Sequence, residues 1–193
     1  ILDNKYEFRF KHKKLYIQKP KLNGNHQIEN ASVACACIYI LKDLGIKFKT
    51  KLINNSIKNT SWPGRLEKFK YKNKTIIFDG SHNIDGAKKL NIFLKESKIK
   101  PLVVFGMLNN KKLNSFLKIL KKQIKFILAV EIPNEKNSFK TNEIKKACLN
   151  QSIECKEIKD FKKIFNIIKK TKDSKILITG SLYLVGKLRN RFL

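Results

Sequence analysis

From about residue 66 onward, short apolar runs alternate with longer stretches of helical period. Runs such as TIIFD, LVVF and ILIT have no polar side, so a strand built from one must be buried on both faces. That requirement selects an α/β domain: a Rossmann-like, mostly parallel sheet with helices on both faces, about 130 residues long. The spacing predicts a hairpin over 66–71 and 75–79 around Asn73, a helix over 84–97 and a strand at Leu102–Phe105. A helix over 111–122, a strand over 125–130, a helix over 141–150 and a short strand over 152–158 follow. A helix over 160–171, a strand over 176–179 and a last helix over 183–191 complete the series.

The first third of the chain has a different rhythm. Ala34, Cys37, Ile38, Leu41 and Leu44 recur at three- and four-residue spacing, which predicts a helix over 26–44 stopped by Gly45. A shorter helical run covers 51–59. In the string TSWPGR, Pro63 biases Trp62 towards extended backbone and Gly64 permits a turn, so the domain boundary belongs here. The chain has no internal repeat and no low-complexity linker.

A formal net charge of +28 invites a nucleic-acid-binding reading. Of the 43 basic residues, however, only Arg9, Arg65, Arg189 and Arg191 are arginines, the side chain that reads guanine edges and forks onto phosphate. The lysines are scattered along the chain, beside abundant Asn and Ile, as in a protein encoded by AT-rich DNA, and solvated helix faces account for them. Cys35, Cys37, Cys148 and Cys155 lack zinc-site spacing, and Cys35 and Cys37 read as small buried hydrophobes in a reducing cytoplasm. The longest apolar stretches, 34–41 and 101–108, are too short to span a bilayer. The opening ILDNKYEFRF is mixed and charged, unlike a secretory signal, and without an initiating Met it reads as the interior of a larger protein.

In open α/β sheets, ligands bind beyond the carboxyl ends of the strands. The runs ending there continue as GSHN, GMLNNK and GSLYLVG, which would gather Asp79, His82, Asn83, Asn109, Asn110, Ser181 and Tyr183 on one rim. The opening glycines allow sharp turns and close backbone approach to a ligand; the plain alternative is a Ser cap starting each helix. Asp79 can accept from a ligand hydroxyl or orient a histidine, and His82 can donate to a carboxylate. Arg65, directly after the Pro-Gly turn, suits a phosphate or carboxylate at a domain junction.

The strings GNHQIENASVA, WPGRLE, IIFDGSHNIDGAKKL, VVFGMLNNKK and LITGSLYLVG, in this order, resemble the back half of the folylpolyglutamate synthase/dihydrofolate synthase family of the Mur ligase superfamily, over residues 22–185. The resemblance implies an ATP-dependent amide ligase with a central ATPase domain and a mobile Rossmann-like C-terminal domain. In that scheme residues 1–59 are the helical tail of the ATPase domain, 60–64 the hinge linker and 65–193 the glutamate-ligase domain. ATP converts a dihydropteroate or reduced-folate carboxylate to an acyl phosphate, and the amine of L-glutamate displaces phosphate. The family pattern places nucleotide contacts at Asn30 (adenine side), Arg65 (phosphate charge) and Asp79 (ribose or phosphate side). It places His82, as catalytic and substrate-binding residue, with Ser181 and Tyr183 around the incoming glutamate. It further implies ATP and Mg2+ as cofactors and a cytoplasmic monomer with neither nucleic-acid nor membrane partner.

The chain departs from the family pattern at Ser81 and Ile84, where Ala and Pro are common, and at Asn110 and Lys112, where acidic residues are usual. The sequence contains no G-x-x-x-x-G-K-[ST], so the ATP phosphate cradle and the metal ligands are expected outside it, and these residues alone should be inactive. Two other classes remain open at this stage: another Mur-type ligase, adding an amino acid to a cell-wall precursor, and a basic nucleic-acid-binding module.

Overall fold

In the computed structural model, which describes residues 5–192, the chain divides into two compact units between Trp62 and Pro63. The first unit opens on a hairpin absent from the expected helical tail: β1 (Lys5–Phe10) pairs antiparallel with β2 (Lys13–Gln18). Tyr6, Phe8 and Phe10 alternate with charged residues, and Phe8 stands opposite Leu15 and Tyr6 opposite Ile17, so the five share one face. Phe8 and Ile17 form a small core with Cys35, Tyr39 and Ile53 from helices α1 (His26–Asp43) and α2 (Thr50–Asn59). Gly45 ends α1 in a left-handed conformation at φ 96°, with the Ile46 N–H donating to the Leu41 carbonyl.

The buried side of α1 differs from the expected stripe. Gln27, Cys35 and Tyr39 are buried, whereas Leu41 and Leu44 are 42% and 75% exposed. Cys37, expected inside, is exposed, because two residues turn the helix by about 200° and Cys35 takes the side facing the hairpin. From Val33 to Leu41 helix α1 is apolar all round, so three- and four-residue spacing does not single out one face.

The second unit holds a six-stranded sheet, built from β3 (Glu67–Tyr71), β4 (Lys74–Asp79), β5 (Leu102–Phe105), β6 (Phe126–Val130), β7 (Cys155–Ile158) and β8 (Lys175–Thr179). The spatial order is β3-β4-β8-β5-β6-β7, parallel throughout except for the antiparallel β3–β4 edge hairpin. Period-two alternation explains why the runs are continuously apolar: Val103, Phe105, Ile127, Ala129 and Leu177 point to one face, Val104, Leu128, Ile176 and Ile178 to the other. The first face is covered by α3 (Ile84–Glu96), α4 (Leu113–Leu120) and α5 (Thr141–Leu149). The second is covered by α6 (Lys163–Lys170) and α7 (Leu182–Arg189). The expected order of strands and helices in this unit matches throughout, with ends differing by up to three residues: β4, β8 and α7 begin one residue early, and β7 and α6 begin three residues late.

Candidate functional site

Strand β8 lies between β4 and β5, and its following helix packs on the opposite face from theirs. This is a topological switch point, where the loops after neighbouring strands diverge and leave a crevice. The glycines after β4, β8 and β5 do meet tight quarters, made by the loops themselves. A Cβ on Gly180 (φ 103°) would lie 2.5 Å from the Gly106 carbonyl oxygen, and one on Gly80 would lie 2.1 Å from Leu182 Cδ2. The glycines therefore let the loop bases interlock.

Asp79, the last residue of β4, is buried, with both carboxylate oxygens engaged: Oδ1 accepts from the Ser81 N–H at 3.1 Å and Oδ2 from the Leu66 N–H at 3.1 Å. Burial pushes its pKa up, opposed by the bonds from Ser81 and Leu66 and by the charge of Arg65. Asp79 thus ties the loop after β4 to the turn before β3. That turn is unusual. Gly64 and Leu66, on either side of Arg65, both have left-handed backbone (φ 72° and 47°), and for the buried Leu66 this costs about 1–2 kcal/mol. The Arg65 side chain is exposed and forms no hydrogen bond or ion pair with a described residue.

His82, half-buried, binds the Gly80 carbonyl oxygen through Nδ1 at 2.8 Å. A carbonyl only accepts, so Nδ1 carries a proton, and the neutral tautomer that bears it there has Nε2 as its acceptor. Asn83 and Ser181 are helix caps, accepting from Gly86 N–H (2.8 Å) and Tyr183 N–H (3.1 Å). The plain Ser-cap alternative holds after β8, although the buried Ser181 hydroxyl keeps its own proton to donate; after β4 the cap is Asn83 rather than Ser81. Tyr183 is 55% exposed at the start of α7, and Asn109 and Asn110 are exposed. Lys111 and Lys112 line an open cavity of about 570 Å³ with Lys146 and Glu143.

In the first unit, Asn30 donates through Nδ2 to Gln27 Oε1 at 3.0 Å, and buried Gln27 bonds His26 at 3.0 Å. This engages the Asn30 amide nitrogen, and its carbonyl oxygen keeps the capacity to accept. Among the described residues, no three His, Cys, Asp or Glu side chains converge as a metal site, and no helix is long and apolar enough to cross a membrane.

The profile of the dihydrofolate synthetase C-terminal domain matches residues 64–191, most of the chain. The chain belongs to this family. Among curated relatives, a probable dihydrofolate synthetase of Schizosaccharomyces pombe is 29% identical over 180 residues, covering 86% of this chain and 43% of the relative. A dihydrofolate synthase/folylpolyglutamate synthase of Bacillus subtilis is 26% identical over 183 residues, covering 90% and 40%. The chain thus spans less than half the length of these relatives. The solved folylpolyglutamate synthase of Thermotoga maritima superposes with a TM-score of 0.73 at 26% identity, over 95% of this chain and 42% of that one. An E. coli FolC structure in complex with DHPP and ADP shares the fold, with a TM-score of 0.78 at 18% identity over 99% of this chain and 44% of that one. The family expected from the sequence motifs is borne out, as is the Rossmann-like architecture.

Sequence reasoning overlooked Gln27, Glu67, Thr179 and Arg189. Gln27 had a local signal, lying three residues before Asn30 on one helix. Arg189 was visible only as one of four arginines, because its partner Glu67 is 122 residues away.

Proposed function

We propose that this chain is the C-terminal portion of an ATP-dependent ligase that joins L-glutamate to the carboxylate of dihydropteroate or a reduced folate. Family membership supports the activity; the observation within the chain that carries it is Arg65, on a strained turn beside Asp79, with a guanidinium unpaired among the described residues. Solved relatives are described as complexes with ADP, and one with Mn, AMPPNP and L-glutamate. In this reading residues 1–59 belong to the ATPase domain and 60–64 are the hinge. Residues 65–193 carry the incoming glutamate. The apolar residues Val33, Ile40, Leu41 and Leu44 left on the surface of α1 are covered by the rest of the ATPase domain in the longer polypeptide.

Arg65 forks onto ATP phosphate, Asn30 accepts from the adenine amine, and Asp79 holds the loop that presents both Arg65 and His82. The glutamate amine attacks the acyl-phosphate carbonyl, the C–N bond forms as the C–O bond to phosphate breaks, and His82 Nε2 takes the amine proton. Ser181 and Tyr183 hydroxyls donate to the glutamate carboxylates. Mg2+ would supply charge neutralisation on the phosphates when bound, with its protein ligands in the part of the polypeptide that precedes these residues. The enzyme works as a cytoplasmic monomer without nucleic-acid or membrane partners, a setting that suits its four free thiols.

The test is product analysis of the full-length protein with Mg-ATP, L-glutamate and dihydropteroate or tetrahydrofolate. Glutamylated folate is expected from the full-length protein and none from residues 1–193. Transfer to a cell-wall precursor would refute the substrate assignment, and turnover by residues 1–193 alone would refute the division of labour.

A further inference from the structure

The turn before β3 is held far more firmly than a connection between two units requires. Four contacts fasten it to the second unit. The Gly64 carbonyl accepts from the Gly80 N–H at 2.7 Å, and the Gly64 N–H donates to Glu67 Oε2 at 2.8 Å. The Leu66 N–H donates to Asp79, and the Leu66 side chain is packed in the core on the α3 side of the sheet. Glu67 is itself gripped by Arg189 from the last turn of α7, whose Nε and Nη2 reach both carboxylate oxygens at 2.9–3.1 Å. The pair is three-quarters shielded from solvent on each side, and Arg189 holds the Glu67 carboxyl below the usual glutamate range.

This arrangement has a specific consequence for the residue in the middle. Left-handed backbone at Leu66 does not persist in a free linker; it survives only where the surroundings over-determine it. Each fastening contact lands on Gly64, Leu66 or Glu67, and none on Arg65. The backbone of Arg65 is therefore fixed while its guanidinium stays open. Of the two arginines near this turn, one is committed to Glu67 and the other is left without a described partner.

We propose that Glu67 and Arg189 are positioning residues that act through Arg65, holding the Gly64–Leu66 backbone so that the Arg65 guanidinium is presented, preorganised, to the phosphates of a nucleotide. The proposal rests on the reading of Arg65 as a phosphate contact. Preorganisation improves affinity by removing the ordering cost that a loose arginine would meet on binding. Glu67 makes no contact with the nucleotide, so its effect should vanish when Arg65 is absent.

The experiment is AMPPNP titration, with steady-state kinetics in ATP, on the full-length ligase carrying this sequence. Arg65→Ala is expected to weaken AMPPNP binding by about tenfold or more. Glu67→Gln and Arg189→Leu are each expected to weaken it by about three- to tenfold and to raise KM for ATP more than they lower kcat. Arg189→Lys, which keeps the charge and one hydrogen bond, should recover part of the loss and serves if Arg189→Leu fails to fold. The deciding measurement is Glu67→Gln in the Arg65→Ala background, where no further weakening is expected. Normal AMPPNP affinity in Glu67→Gln and Arg189→Leu, with Arg65→Ala impaired, would overturn the positioning role alone. So would additive losses in the double variant. Normal affinity in Arg65→Ala would remove the phosphate reading and the positioning role together.

Discussion

The two units treat their apolar residues differently. In the second, the strand runs all end inside, sandwiched between two helical layers, and an aromatic group of Phe69, Tyr71, Phe78 and Phe165 closes around Phe192. In the first, a core of five buried side chains is set against a helix that leaves Val33, Ile40, Leu41 and Leu44 in solvent, and Ala34, Ile38 and Leu41 line an apolar groove of about 380 Å³ with α2. An α-helix apolar on all sides is built for burial on all sides. The second unit has both faces of its sheet covered, whereas the first leaves apolar residues of its main helix exposed. The difference teaches that the second unit can organise its loops by itself, while the first leaves the helix that carries Asn30 only partly covered by its own residues.

Hydrogen exchange on the 193-residue chain is the strongest way to break this comparison. Amides of α1 are expected to exchange about a thousandfold faster than those of β4, β5 and β8, because local opening there releases little buried surface. Equal protection would mean that the first unit is as self-sufficient as the second. Core truncation comes next. Phe105→Ala should cost about 3–5 kcal/mol in denaturant unfolding, whereas Leu44→Ala, on the open side of α1, should fall within about 0.5 kcal/mol. A large cost at Leu44 would show that the exposed face is covered after all.

Smaller effects sharpen the account of the second unit. Asp79→Asn keeps the shape but sets an NH2 against one of two backbone N–H donors, and should destabilise by about 1–3 kcal/mol, measured by urea unfolding. Glu67 gives a pH signature. Its folded pKa lies below the unfolded value, so its contribution is fully present above the ordinary glutamate range and is lost as pH falls through the lowered folded value. The Glu67–Arg189 pair is partly exposed, so the loss should be only about 1 kcal/mol and absent in Arg189→Leu. At the low end, Thr179→Val removes the one buried side-chain hydroxyl that lacks a partner among the described residues, and stability should stay within about 0.5 kcal/mol or rise.

Much of the second unit was legible from local pattern. A run such as VVF at 103–105 cannot be stable at a surface, and the helices between runs advertise themselves by period, so strand order along the chain and the identity of the rim loops follow. The β1–β2 hairpin escaped because the charged residues Lys5, Glu7 and Arg9, at every other position, disguise Tyr6, Phe8 and Phe10 as polar sequence. The buried face of α1 escaped for the opposite reason, since too many of its positions are apolar for spacing to choose. At the candidate site, Asp79, His82 and Ser181 were legible as rim residues, yet their hydrogen bonds were not.

The sequence by itself determined the α/β alternation, the family and the residues available for chemistry, because burial requirements and motif strings are written in neighbouring positions. Only the tertiary structure decided that β8 inserts between β4 and β5, that Asp79 reaches back to Leu66, and that Arg189 clasps Glu67 while Arg65 has no hydrogen-bond or ion-pair partner among the described residues. Those choices join residues far apart in the chain. Their energies depend on distance and shielding from water, which arise only once the sheet and its two helical layers have formed.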